Sequence, residues 1–335
     1  MRSLLWLWGA CVSSDGTPTD TPTDTGDEPQ RWHLIADQLP GGVMLAATTV
    51  GDQVLISGGS YESAGTLWRY DGTSLCVEED AAEAALWWVH GRSADDWYAV
   101  GEHGIVVHEV AGVRTREDLP SDITLFGLYD DGTAAWIVGG AVRGDQTGEI
   151  WRKVDGGDWE LLSTTPSLAF KIFDGWVVGD GFVWWWDGSG FVDRSPPDAP
   201  RLLTVRTRGD DDVWAVGGLQ QAEFWHFDGA AWSEPELEPR CAGQPLNGVY
   251  TAPGDDVWLA GNFGTAASYG ADTGWDCARA PLTADHFHAT WRFGEEVLMV
   301  GGNLSSLEDH HATMVRFEPT GLAEPPTFDG ACGAP

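Results

Sequence analysis

Seven short segments of similar composition recur along the chain. Each is a run of β-branched and aromatic residues that ends in glycine. The seven runs are VLISGG at 54–59, WYAVG at 97–101, WIVGG at 136–140, WVVG at 176–179, VWAVGG at 213–218, VWLAG at 257–261 and VLMVGG at 297–302. The first glycines of successive runs lie 38 to 44 residues apart. A sustained period of this length indicates a repeat architecture in which every unit is one small supersecondary structure.

Turn signals on both sides of the runs predict four strands in each unit. An acidic pair or triplet precedes most runs, as at Asp95-Asp96 and Asp210-Asp211-Asp212, and a second strand follows. That second strand ends in an Asp-Gly turn and an aromatic residue, as in IWRKVDGGDW and FWHFDGAAW. Glycine supplies the positive φ that such hairpin turns need, and the aspartate accepts local backbone hydrogen bonds. Each unit is therefore predicted to be an antiparallel meander.

The hydrophobic pattern selects the arrangement of these meanders. The runs are apolar at consecutive positions, which indicates strands buried on both faces, and no helical stripe competes with them. Four-stranded sheets covered on both faces and repeated about every 40 residues are produced by stacking blades around an axis. We predict an all-β fold, a seven-bladed β-propeller over residues 31–335. The segment RWHLIADQLP at 31–40 matches the outermost strand of a unit, so it is expected to join the last blade and close the ring.

Two repeat families resemble these units. The double glycines at Gly58-Gly59, Gly139-Gly140, Gly217-Gly218 and Gly301-Gly302 resemble kelch repeats. The turns at Asp155 and Asp228 resemble degenerate Asp-boxes of BNR and sialidase-like propellers. The chain is similar over residues 31–324 to secreted bacterial propellers with DVWAVG-type repeats. The resemblance implies a propeller scaffold and, as an alternative activity, an extracellular carbohydrate-active enzyme of the kelch-like or sialidase-like kind.

The amino terminus resembles an export signal. Residues 1–11 read MRSLLWLWGAC, with one arginine, a short apolar stretch and small residues before Cys11, as in a bacterial lipoprotein signal. Residues 12–30 form a Thr/Pro/Asp-rich segment that cannot bury enough apolar surface to order itself, which predicts a disordered tether. We expect an exported lipoprotein acylated at Cys11, at the outer membrane or cell surface. An ordinary signal peptide and a periplasmic or extracellular protein are the alternative.

Charge limits the partners. The chain carries 52 acidic and 18 basic side chains, a formal net charge of −34. Binding to nucleic acid or to anionic lipid requires clustered cations, so direct nucleic-acid binding is excluded and the membrane is reached only through the lipid anchor. We expect a monomer that binds a protein or glycan, with cationic ligands favoured.

Four further cysteines predict disulfides. Cys76, Cys241, Cys277 and Cys332 are an even number in a chain with an export signal. Repeat geometry favours pairing Cys241 with Cys277 around the sixth unit, and Cys76 with Cys332 near the ring junction. Four buried thiols are the alternative.

The seventh unit holds the best candidate metal ligands. His286 and His288 lie at the start of its inner strand, and His310 and His311 lie in the loop between its second and third strands. Both positions reach one rim, so these imidazoles could converge with Asp285, Glu308 and Asp309 on a transition metal. Solvated loop histidines are the alternative, and otherwise no cofactor is expected. The acidic turns lack the spacing of calcium loops.

No catalytic motif stands out, so a non-catalytic binding module is the leading functional hypothesis. The chain has no GxSxG, HExxH or phosphate-binding loop. Loops at one rim vary most between units, as expected where a constant scaffold carries recognition. The rim candidates are Tyr61, Glu62, His103, Arg143, Asp145, Gln220, Asn262, Phe263 and His310.

Overall fold

The computed structural model describes residues 31–60, 63–93, 95–278, 281–303, 310–320 and 324–332. The signal at 1–11, the tether at 12–30, Tyr61, Glu62, Glu308 and Asp309 therefore lie outside the described residues. Within the described ranges, no helix is long and apolar enough to cross a bilayer.

Seven antiparallel sheets form the predicted ring of blades. The chain begins with β1 (Trp32–Leu39) and continues through the first three complete blades. Blade 1 is β2 (Val43–Val50), β3 (Gln53–Gly59), β4 (Gly65–Tyr70) and β5 (Ser74–Ala82); blade 2 is β6 (Leu86–Ser93), β7 (Asp96–Gly101), β8 (Val106–Val110) and β9 (Val113–Arg116); blade 3 is β10 (Thr124–Asp130), β11 (Ala134–Gly140), β12 (Gly148–Val154) and β13 (Glu160–Thr165).

The remaining blades follow in the same order from the axis outward. Blade 4 is β14 (Ala169–Phe173), β15 (Trp176–Gly179), β16 (Val183–Trp186) and β17 (Phe191–Asp193); blade 5 is β18 (Leu202–Gly209), β19 (Asp212–Gly217), β20 (Glu223–Phe227) and β21 (Trp232–Ser233); blade 6 is β22 (Leu246–Tyr250), β23 (Val257–Gly261), β24 (Ala266–Gly270) and β25 (Gly274–Cys277). Blade 7 is β26 (His286–Phe293), β27 (Glu296–Gly302), β28 (Ala312–Phe317) and β1, and β29 (Thr327–Ala331) is added to blade 1. One 3₁₀ turn (Glu102–Gly104) and one short helix, α1 (Pro239–Ala242), complete the described elements.

The glycine-ending runs form the second strand of every blade. In β11, all positions from Ala134 to Gly140 are buried, and the other second strands are buried over most of their length. Side chains on these strands pack against both neighbouring blades because each blade is covered on two faces. Trp176 of blade 4, for example, lies 5.3 Å from Phe227 and 6.0 Å from Trp232 of blade 5, measured between ring centroids. Burial of such large rings supplies most of the stabilisation between blades.

The Asp-Gly turns have the predicted geometry. Oδ1 of Asp71 accepts hydrogen bonds from the backbone N–H groups of Thr73 and Ser74, at 2.8 and 2.7 Å. These bonds favour the ionised carboxylate, so they lower the pKa of Asp71 to about 2. Asp187 and Asp228 accept equivalent bonds in blades 4 and 5. The aspartates thus stabilise the turn between the third and outermost strands.

The ring is closed at two places. β1 pairs antiparallel with β28, with Trp32 opposite Phe317, so the front of the propeller forms the outermost strand of the last blade, as predicted. β29 then adds a parallel fifth strand to β5, a feature that the sequence pattern did not predict. Both ends of the propeller are therefore paired in sheets.

Both predicted disulfides are confirmed. Cys76 on β5 is bonded to Cys332, which directly follows β29, and Cys241 in α1 is bonded to Cys277 on β25. The first bond covalently joins the tail to blade 1. Two disulfides indicate folding in an oxidising, extracytoplasmic compartment.

Candidate binding funnel

A β-bulge interrupts the innermost strand of every blade. Each of the seven pairings between an innermost and a second strand skips one residue near its start. The skipped residues are Leu45, Trp87, Phe126, Phe170, Leu203, Asn247 and His288. A bulge changes the direction of a side chain without ending the strand. We call these seven residues the bulge ring.

All seven bulge-ring residues line one cavity at the axis. Its volume is about 1000 Å³, and it lies on the side of the loops that enter the innermost strands. The remaining lining residues come from those loops, from the loops between the second and third strands of blades 2 and 3, and from the first residues of the innermost strands: Glu102, His103, Asp122, Thr124, Ala141, Val142, Arg143, Leu168, Lys171, Arg201 and Thr204. Eight of the lining residues are apolar and ten are polar or charged, and a large cavity that combines an apolar wall with convergent polar groups is a usual form of ligand site. We call this cavity the funnel.

Aromatic rings form one wall of the funnel. The Trp87 and Phe126 ring centroids are 5.4 Å apart in an edge-to-face arrangement, and those of Phe126 and Phe170 are also 5.4 Å apart. Edge-to-face contacts are favourable for aromatic pairs and hold each ring in place. Together with Leu45 and Leu203, these rings present an apolar surface to a ligand.

Lys171 supplies a cation to the floor of this apolar wall. Its Nζ donates a hydrogen bond to the backbone oxygen of Phe126 at 2.5 Å and lies 3.7 Å from the centroid of the Trp88 ring. Burial lowers the pKa of Lys171 well below its usual value, and the charge of Arg206 adds to this effect. Among the residues that the structure describes, no carboxylate is within ion-pair distance of this amine.

The two polar members of the bulge ring lie side by side in blades 6 and 7. Asn247 donates through Nδ2 to the backbone oxygen of Phe287 at 2.8 Å and to Oδ1 of Asn262 at 2.9 Å. The buried Nε2 atom of His288 has no hydrogen-bond partner. Burial lowers the pKa of His288 to about 3, with the charges of His286 and Lys171 as further causes. The imidazole is therefore neutral at physiological pH.

A second ring of side chains lies below the funnel, three residues further along each innermost strand. Its members are Thr48, His90, Tyr129, Phe173, Arg206, Tyr250 and Trp291. Neighbouring members touch around the axis: the ring centroids of His90 and Tyr129 are 5.2 Å apart, those of Tyr129 and Phe173 are 4.7 Å apart, and those of Tyr250 and Trp291 are 5.3 Å apart. We call this set the lower ring. Its contacts fill the axis beneath the funnel.

Arg206 is the charged member of the lower ring. Its guanidinium carbon lies 4.4 Å from the Phe173 ring centroid, 5.3 Å from that of Trp291 and 5.8 Å from that of Trp88. The residue is 4% exposed, its Nε has no hydrogen-bond partner, and burial lowers its pKa to about 10. Its charge is thus held against aromatic faces alone, a weaker stabilisation than a carboxylate would give.

The rim above the funnel carries paired charges and exposed apolar residues. His103 Nδ1 lies 2.6 Å from Oδ1 of Asp122, and the guanidinium of Arg201 donates through Nε to Asp180 at 3.0 Å. Val142 and Phe263, in two loops of this side, are 49% and 43% exposed. The rim therefore adds apolar contact area around the opening of the funnel.

The structure brings together only part of the predicted rim set. His103 and Arg143 line the funnel. Asp145 and Gln220 are exposed in the second-to-third-strand loops of blades 3 and 5, whereas Asn262 supports Asn247 from the side. Phe263 stacks on His286, with ring centroids 4.8 Å apart, and His310 lies at the end of the loop before β28. Tyr61 and Glu62 lie outside the described residues.

The predicted metal ligands are separated by the bulge. His288 lines the funnel, while His286 contacts Phe263 at the rim. Among the residues described, the set of three or more ligand-type side chains that comes together is Asp37, Asp285 and His311, whose ligand atoms lie within 4.8 Å of one another. His311 Nε2 is 2.9 Å from Oδ2 of Asp285 and 2.9 Å from Nε2 of Gln38, so hydrogen bonds already connect this set.

Most funnel residues were missed because the sequence analysis looked for polar loop residues. Trp87, Phe126, Phe170 and Leu203 are apolar and lie inside strands, where they are indistinguishable from core residues. Six of the seven bulge-ring residues lie 13 or 14 positions before the first glycine of their unit, and Phe170 lies 9 before it. The alternation of that position between apolar residues and Asn247 or His288 was the available signal.

Comparison with known proteins supports the fold alone. No protein-family model matches the sequence, and a comparison with curated proteins finds no match. Among solved structures, YCF48 bound to a D1 peptide has a TM-score of 0.63 at 17% identity, covering 87% of this chain and 98% of that one. A catalytically inactive virginiamycin B lyase from Staphylococcus aureus with quinupristin has a TM-score of 0.64 at 13% identity, covering 85% and 98%.

A third similar structure is a WD40 domain. The WD40 β-propeller domain of Doa1 has a TM-score of 0.61 at 12% identity, covering 88% of this chain and all of that one. At these identities the likeness extends to the propeller scaffold, on which unrelated functions are built. The chain is a seven-bladed β-propeller, and its function has to be argued from the funnel.

Proposed function

We propose that this protein is a surface-tethered, non-catalytic binding module that captures an apolar segment of a partner protein in the funnel. The observation that carries the proposal is the convergence of seven bulged residues, one from each blade, on one open cavity. A bulge repeated in seven blades costs ladder hydrogen bonds, and its consequence is an aromatic and aliphatic wall facing solvent. Such a wall binds apolar side chains.

The ligand class follows from the wall and from the fold comparison. The solved structure of YCF48 holds a peptide on a propeller of the same architecture. The funnel of about 1000 Å³ can accept several side chains of an extended segment. The exposed Val142 and Phe263 extend the apolar surface beyond the cavity, which suits a polypeptide that continues over the rim.

The residues of the bulge ring and the lower ring support a carbohydrate-active enzyme less well than they support a binding module. Glycoside hydrolysis uses a pair of carboxyl groups beside the scissile bond. Neither the bulge ring nor the lower ring contains an aspartate or glutamate. The carboxylates in the described lining are Glu102 and Asp122, both in rim loops, and Asp122 is paired with His103.

Panning of a displayed peptide library against the full mature chain tests capture. We expect enrichment of peptides rich in aromatic and aliphatic residues, and loss of their binding by tenfold or more in Leu203→Asp, which puts a carboxylate into the apolar wall. Leu162→Asp is the matched control, because Leu162 is 38% exposed on β13 at the edge of blade 3, away from the axis. Equal loss in both variants, or no loss in either, would contradict the proposal.

The tether belongs to the same proposal. Cys11 and the Thr/Pro/Asp-rich residues 12–30 would hold the propeller away from an outer membrane by a lipid anchor, with reach set by an extended chain. We expect the wild-type protein in the membrane fraction and Cys11→Ser in the soluble fraction. Wild-type protein found soluble would remove lipid anchoring and leave peptide capture unaffected.

A further inference from the structure

Two buried cations share one indole ring beneath the funnel. Lys171 Nζ lies 3.7 Å from the Trp88 ring centroid, and the guanidinium carbon of Arg206 lies 5.8 Å from the same centroid. Neither cation is within ion-pair distance of any carboxylate of the described chain. His288 adds a buried imidazole nitrogen without a hydrogen-bond partner.

This arrangement is costly for the free protein. Moving a charge out of water is unfavourable unless a counter-ion or several hydrogen bonds replace the lost hydration. Burial therefore lowers the pKa of Lys171 and disfavours its protonated form, which a bound carboxylate would favour again. The chain has 52 carboxylate side chains for 18 cations, so a counter-ion within the protein would have been easily available. The strands around the axis nevertheless place Lys171 and Arg206 where no carboxylate of the described residues reaches them.

Lys171 is the cation that a ligand can reach. It lines the funnel together with Thr204, Asn247 and His288, whereas Arg206 lies one layer deeper, in the lower ring. Its Nζ uses one donor on the Phe126 carbonyl and retains others. Gly127 leaves room for the Lys171 side chain. A Cβ at position 127 would lie 3.1 Å from Cδ of Lys171 and 2.9 Å from the backbone oxygen of Phe170.

We propose that the floor of the funnel binds a carboxylate group of the captured segment, with Lys171 as its ion-pair partner. The inference rests on the proposed capture of a polypeptide. Apolar side chains of the segment pack on Trp87, Phe126 and Phe170, and the carboxylate replaces the missing counter-ion at Nζ. Arg206 favours the same anion through its charge.

A monoanion fits this site better than a phosphate does. One accessible ammonium group matches a single negative charge, because the donors of Thr204 and Asn247 are already used within the protein. Glu102 and Asp122 line the funnel together with Arg143 and Arg201, so its mouth adds no net positive charge for a more highly charged ligand. The carboxylate can come from the carboxy terminus of a polypeptide or from an acidic side chain, and the two sources are separated by experiment.

Three synthetic peptides provide the test with the full mature chain. The probes are acetyl-AFALF with a free carboxy terminus, the same peptide as a carboxamide, and acetyl-AFALE as a carboxamide, and the readout is quenching of intrinsic tryptophan fluorescence. We expect the free acid or the glutamate peptide to bind about tenfold or more tightly than the AFALF carboxamide, as a charge-assisted hydrogen bond gives. The tighter of the two acids identifies the source.

Variants assign the preference to Lys171. We expect Lys171→Gln to bind the acid and the carboxamide equally, and Lys171→Arg to retain part of the preference. Lys153→Gln, which changes the other lysine of the chain, is the control that keeps it. Melting temperature and circular dichroism show whether each variant is folded, and Lys171→Arg retains the charge if Lys171→Gln does not fold.

The outcomes separate the two proposals. Equal binding of acid and carboxamide by the wild type, or a preference that survives in Lys171→Gln, overturns the carboxylate site and leaves peptide capture standing. Absence of binding by all three peptides overturns both. A preference lost in Lys171→Gln and kept in Lys153→Gln supports the site.

Discussion

The two lysines of this chain occupy matched aromatic surroundings and differ in one respect. Lys153, between blades 2 and 3, lies 5.9 Å from the ring centroids of both Tyr98 and Trp159, and its Nζ contacts Oε2 of Glu117 at 2.6 Å. Lys171, at the axis, lies on Trp88 without a carboxylate. Lys153 has its counter-ion within the protein, whereas Lys171 has none among the described residues.

Hydrogen bonding shows the same contrast. Glu117 also accepts from Trp159 Nε1 at 3.1 Å and lies 2.9 Å from Nδ1 of His108. Burial raises the pKa of Glu117, but hydrogen bonds from Lys153 and His108 outweigh it and hold that pKa below its usual value. A buried polar network in which every group has a partner stabilises the fold. A network with unpaired groups costs stability, so a role other than stability has to account for it. Under the proposed function, the complete network around Lys153 serves stability and the incomplete one around Lys171 serves recognition.

The largest effect is expected from the covalent link at the periphery. The double variant Cys76→Ala/Cys332→Ala removes a bond between residues 256 apart in sequence, which frees the tail and β29. We expect a loss of about 5 to 6 kcal/mol of unfolding free energy in the chain-entropy description. Chemical denaturation of oxidised wild type and variant measures it. If this loss of stability were much smaller than the loss caused by Cys241→Ala/Cys277→Ala, the pairing of β29 with β5 alone would hold the tail to blade 1.

Replacing each lysine by methionine tests the difference between Lys153 and Lys171 directly. Lys153→Met leaves Glu117 partly buried with one partner fewer, so we expect a loss of about 2 to 3 kcal/mol. Lys171→Met removes a desolvated charge and keeps the apolar stem, so we expect no loss or a small gain in stability. Urea denaturation of the two variants decides. Equal losses would mean that Lys171 is paired in solution and that the axis does not differ from the periphery.

Lowering the pH is expected to reduce the stability of the protein through His288 at the axis. The folded pKa of His288, about 3, is below the ordinary value of 6.5, so the unfolded state binds the proton more readily. The stability that neutral His288 contributes is present above pH 6.5 and is lost as the pH falls toward 3. Between pH 7 and pH 5 the loss is about 2 kcal/mol.

His288→Gln is the variant for this prediction. Glutamine does not titrate, so stability measured at pH 7 and pH 5 should differ less in the variant than in the wild type. His103→Gln, at the exposed rim, is the control that keeps the wild-type difference. An unchanged difference in His288→Gln would place the acid sensitivity elsewhere, with His90, whose pKa burial lowers to about 4, as the next group to replace.

The smallest effect is expected at a peripheral turn. Asp71→Ala removes the acceptor of the backbone hydrogen bonds from Thr73 and Ser74 and should cost about 0.5 to 1 kcal/mol near neutral pH. Because the pKa of Asp71 is lowered to about 2, its contribution is present above the ordinary value of 3.8 and is lost as the pH falls through 2. Wild type and variant should therefore converge in stability below pH 2. Thermal unfolding across this range measures the convergence.

The site was only partly predictable. Two of the rim residues predicted from the sequence, His103 and Arg143, line the funnel. The sequence predicts His288 as a metal ligand beside His286, because strict alternation puts them on one side of a strand, and the bulge at His288 breaks that alternation. Lys171 has no predicted role, since a lone lysine in an apolar strand has no local signal of its surroundings.

Local patterns in the sequence determined the scaffold. The period of the glycine-ending runs, the Asp-Gly turns and the strand-like segment at 31–40 each act through neighbouring residues, so they could be interpreted without coordinates. The disulfide pairing followed from the repeat order. The funnel was decided by tertiary structure alone, because it takes one residue from each of seven blades. Whether Lys171 has a counter-ion depends on which side chains those seven strands bring to the axis, and no segment of the chain contains that information.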